Sequence, residues 1–130
     1  MNVPLLCLPL ALGLVYASKV PLALAMARAP GGYDNKSPRE QQAKLEGWGK
    51  RAAAAHANGF ESFPGFAAGV IVAQITGANP HWAAILAVTH VVARAIYPFL
   101  YLANIDRARS TVWGIGFACS MGLLLLPLIG

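Results

Sequence analysis

Apolar residues fall into four long runs separated by polar connections of very unequal length. The first run, residues 3–27, is about 25 residues long and can cross a ~30 Å hydrocarbon core with some tilt. Ala23-Leu24-Ala25 and Ala25-Met26-Ala27 resemble signal-peptide cleavage sites, but no positive residue precedes the run and it is long for a signal, so an uncleaved helix is expected. Lys19 interrupts it and reads either as a side chain snorkelling to the nearer surface or as a partner for a buried carboxylate such as Glu61. Residues 28–49 form the one long polar connection, broken by Pro30, Gly31, Gly32 and Pro38. A helix is expected to restart at Pro38, with Ser37 and Glu40 as its start signal, and to lead into the second span; Trp48 reads as an interfacial anchor.

The second span is expected over about 50–77, kinked at Pro64. Gly65, Gly69, Ala73 and Gly77 recur every fourth residue, a small-residue stripe that lets helix backbones approach within a membrane. Gly77-Ala78-Asn79-Pro80 is a tight uncharged turn. The third span covers about 81–103, and Asn104–Arg109 is a short connection. The fourth span covers about 110–129 and carries a second small stripe, Ser110, Gly114, Ala118 and Gly122. The pattern predicts an all-α integral membrane four-helix bundle, with residues 1–130 as a single domain of four spans.

Composition agrees. Of the 130 residues 57% are hydrophobic and 12% charged, and mean hydropathy is +0.54. Soluble domains carry about 25% charged residues, and a soluble domain of this size cannot hide so much apolar surface. The net charge of +5 does not point to nucleic acid, because the basic residues are not interleaved with aromatics in a patch. Eight of the ten flank the first and third connections, which places those connections in the cytoplasm and both termini outside it. In a bacterial chain the membrane is the inner one. Cys7 and Cys119 lie in apolar runs and read as buried small hydrophobes.

Ionisable groups inside a span are expensive and are functional candidates for that reason. At about 100° per residue, Arg51, Asn58, Glu61 and Ser62 share one stripe of the second span, while His56 points the other way. His90, Arg94, Tyr97 and Tyr101 share a face of the third span, and Arg109 and Ser110 open the fourth at the same membrane face. Three segments thus bring polar groups to one depth. Each has a plainer reading: Glu61 as an ion-pair partner of Arg94 or Arg51, Asn58 as a hydrogen-bonding link between helices, Tyr97 and Tyr101 as packing aromatics, His56 and His90 as packing groups. No metal site is expected from His56, His81 and His90, whose depths differ.

Arg51-x6-Asn58-x2-Glu61-x2-Pro64, then Arg94-x2-Tyr97-x3-Tyr101, then Arg109-Ser110, resembles the MAPEG family, the membrane-associated proteins in eicosanoid and glutathione metabolism. The RAxxAHANxxExFP form, Arg51–Pro64, is similar to the family's bacterial branch. The resemblance covers nearly the whole chain and implies a homotrimer that binds glutathione between subunits. It further implies a transferase or peroxidase acting on lipophilic electrophiles or lipid hydroperoxides that arrive through membrane lipid. Arg51, Asn58, Glu61, Arg94, Tyr97 and Tyr101 are then the glutathione-binding residues, with Arg109 and Ser110 catalytic. The chemistry is coherent: arginines bind carboxylates, Glu61 suits the ammonium, and a cation favours the thiolate, which is the nucleophile.

The sequence also departs from the pattern. Catalytic eicosanoid-pathway members have a second arginine where this chain has Ala54, and a tyrosine where it has Ser62. Spacing also allows Arg107 to take the role of Arg109. Two other readings follow: a non-catalytic trimer that binds lipid or partner proteins, and a small proton-coupled transporter built on Glu61.

Overall fold

The first apolar run is two helices, and a proline explains why. The computed structural model, which describes residues 1–129, places α1 at Val3–Ala17 and α2 at Lys19–Ala27, with Ser18 between them. Pro21 has no N–H to offer the Ala17 carbonyl, and its ring crowds that carbonyl, so the ladder breaks one turn upstream. Ser18 fills the gap by donating its hydroxyl to the Val15 carbonyl.

In the polar connection, α3 (Pro38–Lys44) starts where expected, but Ser37 makes no side-chain cap bond. The expected continuous entry into the next helix is not formed. Leu45 is extended and Gly47 adopts a positive φ of 58°, which ends one helix before the next begins. The connection is also more ordered than a solvated loop. Gln41 accepts from the Asp34 N–H at 2.9 Å and donates to the Gly32 carbonyl at 2.9 Å. Lys19 turns toward this connection, with Nζ 5.7 Å from the Tyr33 ring centroid, so it serves the nearer surface and not Glu61.

Helix α4 (Trp48–Thr76) runs unbroken through Pro64 and ends on Gly77 in the left-handed conformation. Helix α5 (Pro80–Leu102) is capped by Asn79, whose side chain accepts from His81 N–H and Trp82 N–H at 3.0 and 3.2 Å. Helix α6 (Asp106–Ile129) begins at Asp106, not near Ser110, so Arg107, Arg109 and Ser110 lie on a helix and the third connection shrinks to residues 103–105.

All described elements are helices; α4, α5 and α6 pack on one another, and α1 packs on α4 and α5. Phe66, Val70 and Ala73 of α4 meet Ala83 and Ala87 of α5, Leu123 and Leu126 of α6, and Cys7 and Ala11 of α1. Both cysteines are buried and unpaired. A smaller cluster of Leu22, Met26 and Ala52 joins α2 to α4. Gly69 sits at the tightest seam: a Cβ there would lie 2.8 Å from Leu123 Cβ and 3.1 Å from the Ser120 carbonyl oxygen. The two small-residue stripes are only partly seams. Gly69 and Ala73 are buried, but Gly65 faces open space, and α6 buries Gly116, Cys119 and Ser120 in place of Ser110, Gly114 and Ala118.

Three stretches are long and apolar enough to cross a membrane: Val3–Ala27, Pro80–Leu102 and Asp106–Ile129. At most 33% of each apolar window is buried inside the chain, so most of that surface faces outward, as lipid-facing helices require. Helix α4 is the longest at 29 residues, yet its polar residues keep it out of that set.

Candidate functional site

The centre of the site is a buried cation. Arg94 projects from α5 at the level where α4 passes, and is 8% exposed. Its Nη1 donates to Asn58 Oδ1 at 2.9 Å, and its guanidinium stacks 4.3 Å from the Tyr97 ring centroid. A buried guanidinium must find acceptors, and these two contacts supply an oxygen lone pair and a π face. The Asn58 amide then turns its nitrogen toward Glu61, with Nδ2 to Oε1 at 3.5 Å. Arg94 therefore reaches Glu61 through the Asn58 amide, and the Glu61 carboxylate remains exposed.

Above Arg94 the rings continue as a stack. Tyr97 meets Tyr101 edge to face at 5.8 Å, and the Arg109 guanidinium caps Tyr101 at 4.4 Å from its centroid. The spacing of Tyr97 and Tyr101 puts them one helical turn apart, and α6, starting at Asp106, carries Arg109 onto the second ring. Ser110 is exposed. Arg51 is engaged elsewhere: its Nε donates to the Leu102 carbonyl at 3.3 Å, where the last residue of α5 has no intrahelical partner.

A groove of about 320 Å³ opens between α4 and α6, with α5 as its floor. Asn58, Glu61, Ser62 and Gly65 form the α4 wall, and His90 and Arg94 form the floor. The α6 wall is largely apolar: Trp113, Phe117, Met121 and Leu124, with Gly116 and Ser120 between. Trp113 and Phe117 stack in parallel, 5.4 Å apart. Beside Gly65 the groove is open: no atom lies within 4 Å of where a Cβ would be. The groove is amphipathic, with a carboxylate and a guanidinium on one side and an aromatic ledge on the other.

Of the residues singled out in the sequence, Asn58, Glu61, Ser62 and Arg94 line this groove. Tyr97, Tyr101 and Arg109 form the adjoining stack, and Arg51 and Ser110 stand apart from the groove. The sequence reading did not single out Ser120, Trp113 and Phe117. The spacing of Trp113 and Phe117, four residues apart on one helix, was the available signal. His90 was read as a packing group, and it does pack: its ring stacks on Phe66 at 3.9 Å with planes 4° apart. It also lines the groove. His56 serves the break in the first run, with Nδ1 2.8 Å from Ser18 Oγ and 3.1 Å from the Val15 carbonyl.

The sequence model of the MAPEG family matches residues 3–129, nearly the whole chain. No curated protein and no solved structure matches.

Proposed function

The chain belongs to the MAPEG family, and from that premise we propose that it is a glutathione-dependent membrane transferase or peroxidase, acting on lipophilic electrophiles or lipid hydroperoxides. The observation that carries the reading is the groove that Asn58, Glu61 and Arg94 share with an aromatic wall. Its volume falls within the ~300–1,000 Å³ of small-ligand sites. Glutathione carries two carboxylates, an ammonium and a thiol. Arg94 suits a carboxylate and Glu61 the ammonium, while Trp113 and Phe117 offer an apolar co-substrate a surface at the lipid side. Tyr97, Tyr101 and Arg109 extend the polar surface beyond the groove. Arg109 is the proposed stabiliser of the thiolate, with Ser110 beside it, and Arg51 supports binding with the donors it does not give to Leu102.

The proposal includes α4 as the second of four spans in a four-helix bundle. At 1.5 Å per residue its 29 residues reach about 43 Å, enough to cross, and Asn58 turns inward to Arg94. It also includes a homotrimer surrounded by membrane lipid, with both termini on the non-cytoplasmic side. Purified protein in detergent, given glutathione and a generic aryl halide, is expected to form the thioether, with turnover lost in Arg109→Ala. A well-folded protein that conjugates nothing and reduces no lipid hydroperoxide contradicts the enzyme reading.

A second reading, a non-catalytic trimer that binds lipid or partner proteins, is favoured by the position of Arg109 on Tyr101 and by Ser110, neither of which lines the groove. Saturable binding of a lipid without thiol chemistry is its expected outcome.

A further inference from the structure

We propose that Tyr101 is the positioning residue of Arg109: its ring face, and not its hydroxyl, holds the guanidinium where a bound thiolate meets it. The inference rests on the thiolate reading of Arg109 above and adds the residue that aims it. Arg51, Arg94 and Arg109 are the three arginines of the candidate site, and two of them spend donors on the chain itself. Arg94 gives Nη1 to Asn58, and Arg51 gives Nε to the Leu102 carbonyl. Arg109 differs. Its guanidinium lies over the Tyr101 ring, 4.4 Å from the centroid, and among the described residues it donates no hydrogen bond. A ring quadrupole holds a cation without consuming an N–H, so the five donors of the guanidinium stay free for an anion.

Both partners of this contact are themselves fixed. Tyr97 meets the Tyr101 ring edge to face at 5.8 Å, is 4% exposed, and carries the buried Arg94 guanidinium 4.3 Å from its own centroid. Tyr101 therefore leans on packed core. The backbone sets the other partner. Asn104 takes a left-handed φ of 60°, its N–H bonds to the Tyr101 carbonyl, and the Ile105 N–H bonds to the Leu100 carbonyl, each at 3.0 Å. These two bonds close the end of α5, and α6 starts at once, at Asp106. Arg109, in the first turn of α6, is thereby returned over the Tyr101 ring.

An arginine already held in place has little rotamer freedom left to lose when an anion forms beside it, so its charge is more effective there. Arg109 stays a cation throughout, and the thiol proton leaves to solvent. Trp113, one turn along α6 from Arg109, lines the groove, so a ligand that extends from the groove at that end meets the guanidinium. The contact with Tyr101 thus readies Arg109 for the groove's ligand.

Two measurements on the full-length protein in lipid nanodiscs test this. The first needs no ligand. Proton–nitrogen-15 spectra of the arginine side chains, with Arg109 assigned by comparison with Arg109→Lys, are expected to show its Hε moved upfield by the ring beneath it. The shift is expected in the wild type and in Tyr101→Phe, and not in Tyr101→Leu. An unshifted Hε in the wild type overturns the proposal without any change at Tyr101 having to fold. The second measurement titrates the thiol of bound glutathione by ultraviolet difference absorbance against S-methylglutathione. Tyr101→Leu is expected to raise the pH at which thiolate forms by about one unit, roughly a tenfold smaller thiolate fraction, and Tyr101→Phe to recover most of that loss. In an Arg109→Gln background Tyr101→Leu is expected to add nothing, since the pair is already broken. A wild-type titration in Tyr101→Leu, an equal shift in Tyr101→Phe, or a full further shift in the Arg109→Gln background overturns the role of the ring and leaves the glutathione reading standing. No glutathione binding by the wild type removes that reading and this one with it.

Discussion

Asn58 and Arg94 lie 36 residues apart in sequence and 2.9 Å apart in space, and that one bond ties α4 to α5 at the groove. Hydrogen bonds between membrane helices contribute about 0.6 kcal/mol on average and ~1.7 kcal/mol at most. Asn58→Ala is therefore expected to lower stability by about 1 kcal/mol in a denaturation titration, a loss that leaves the protein folded. Any larger effect on ligand binding then belongs to the site and not to the fold. Gly69 is the converse case. A methyl there meets Leu123 and a main-chain oxygen that cannot move aside, so Gly69→Ala is expected to cost about 1–3 kcal/mol. Gly65→Ala meets nothing and is expected to stay within ~0.5 kcal/mol of wild type. A reversal of that order in the same titration contradicts the packing described. The two glycines look alike in sequence because a spacing of four reads as one stripe. On a helix each step of four residues advances about 40° beyond a full turn, so such a stripe rotates away from a straight seam. Only the neighbouring helix decides which members stay in it.

Helix boundaries were legible where local chemistry alone sets them. Asn79 before Pro80 starts α5, and Gly77 ends α4, each by a backbone or side-chain rule that needs no tertiary context. Asn79→Ala removes the acceptor for two N–H groups and is expected to cost about 1 kcal/mol. Amide exchange at His81 and Trp82 is the readout, and unchanged protection there contradicts the cap. Boundaries were misplaced where charge stood in for solvent. Arg107 and Arg109 read as a connection, but a helix continues into the interface when its polar residues have something to hold. Asp106 suits the N-terminus of α6 and Arg109 finds the Tyr101 ring. The break at Ser18 was likewise written in Pro21, though the apolar run concealed it.

At the scale of the whole molecule, the membrane class and the family were legible because both rest on patterns spread along the chain. The groove was not, since it depends on which side of α6 faces α4, and Trp113 and Phe117 carry no charge to mark it. The outward apolar faces of α1, α5 and α6 leave most of each span for lipid or for further copies of the chain. Crosslinking in native membranes is expected to trap a trimer, and a predominant monomer or dimer contradicts that assembly. The site proposal itself is tested most directly by isothermal titration of the detergent-solubilised protein with glutathione, with Glu61→Gln and Arg94→Met alongside. Each substitution removes a charge-assisted contact worth about 1.5–3 kcal/mol, so saturable binding is expected in the wild type, weakened roughly ten- to hundredfold in each variant. Saturable binding that both variants retain unchanged, or no binding by a well-folded wild-type protein, contradicts the assignment of the groove.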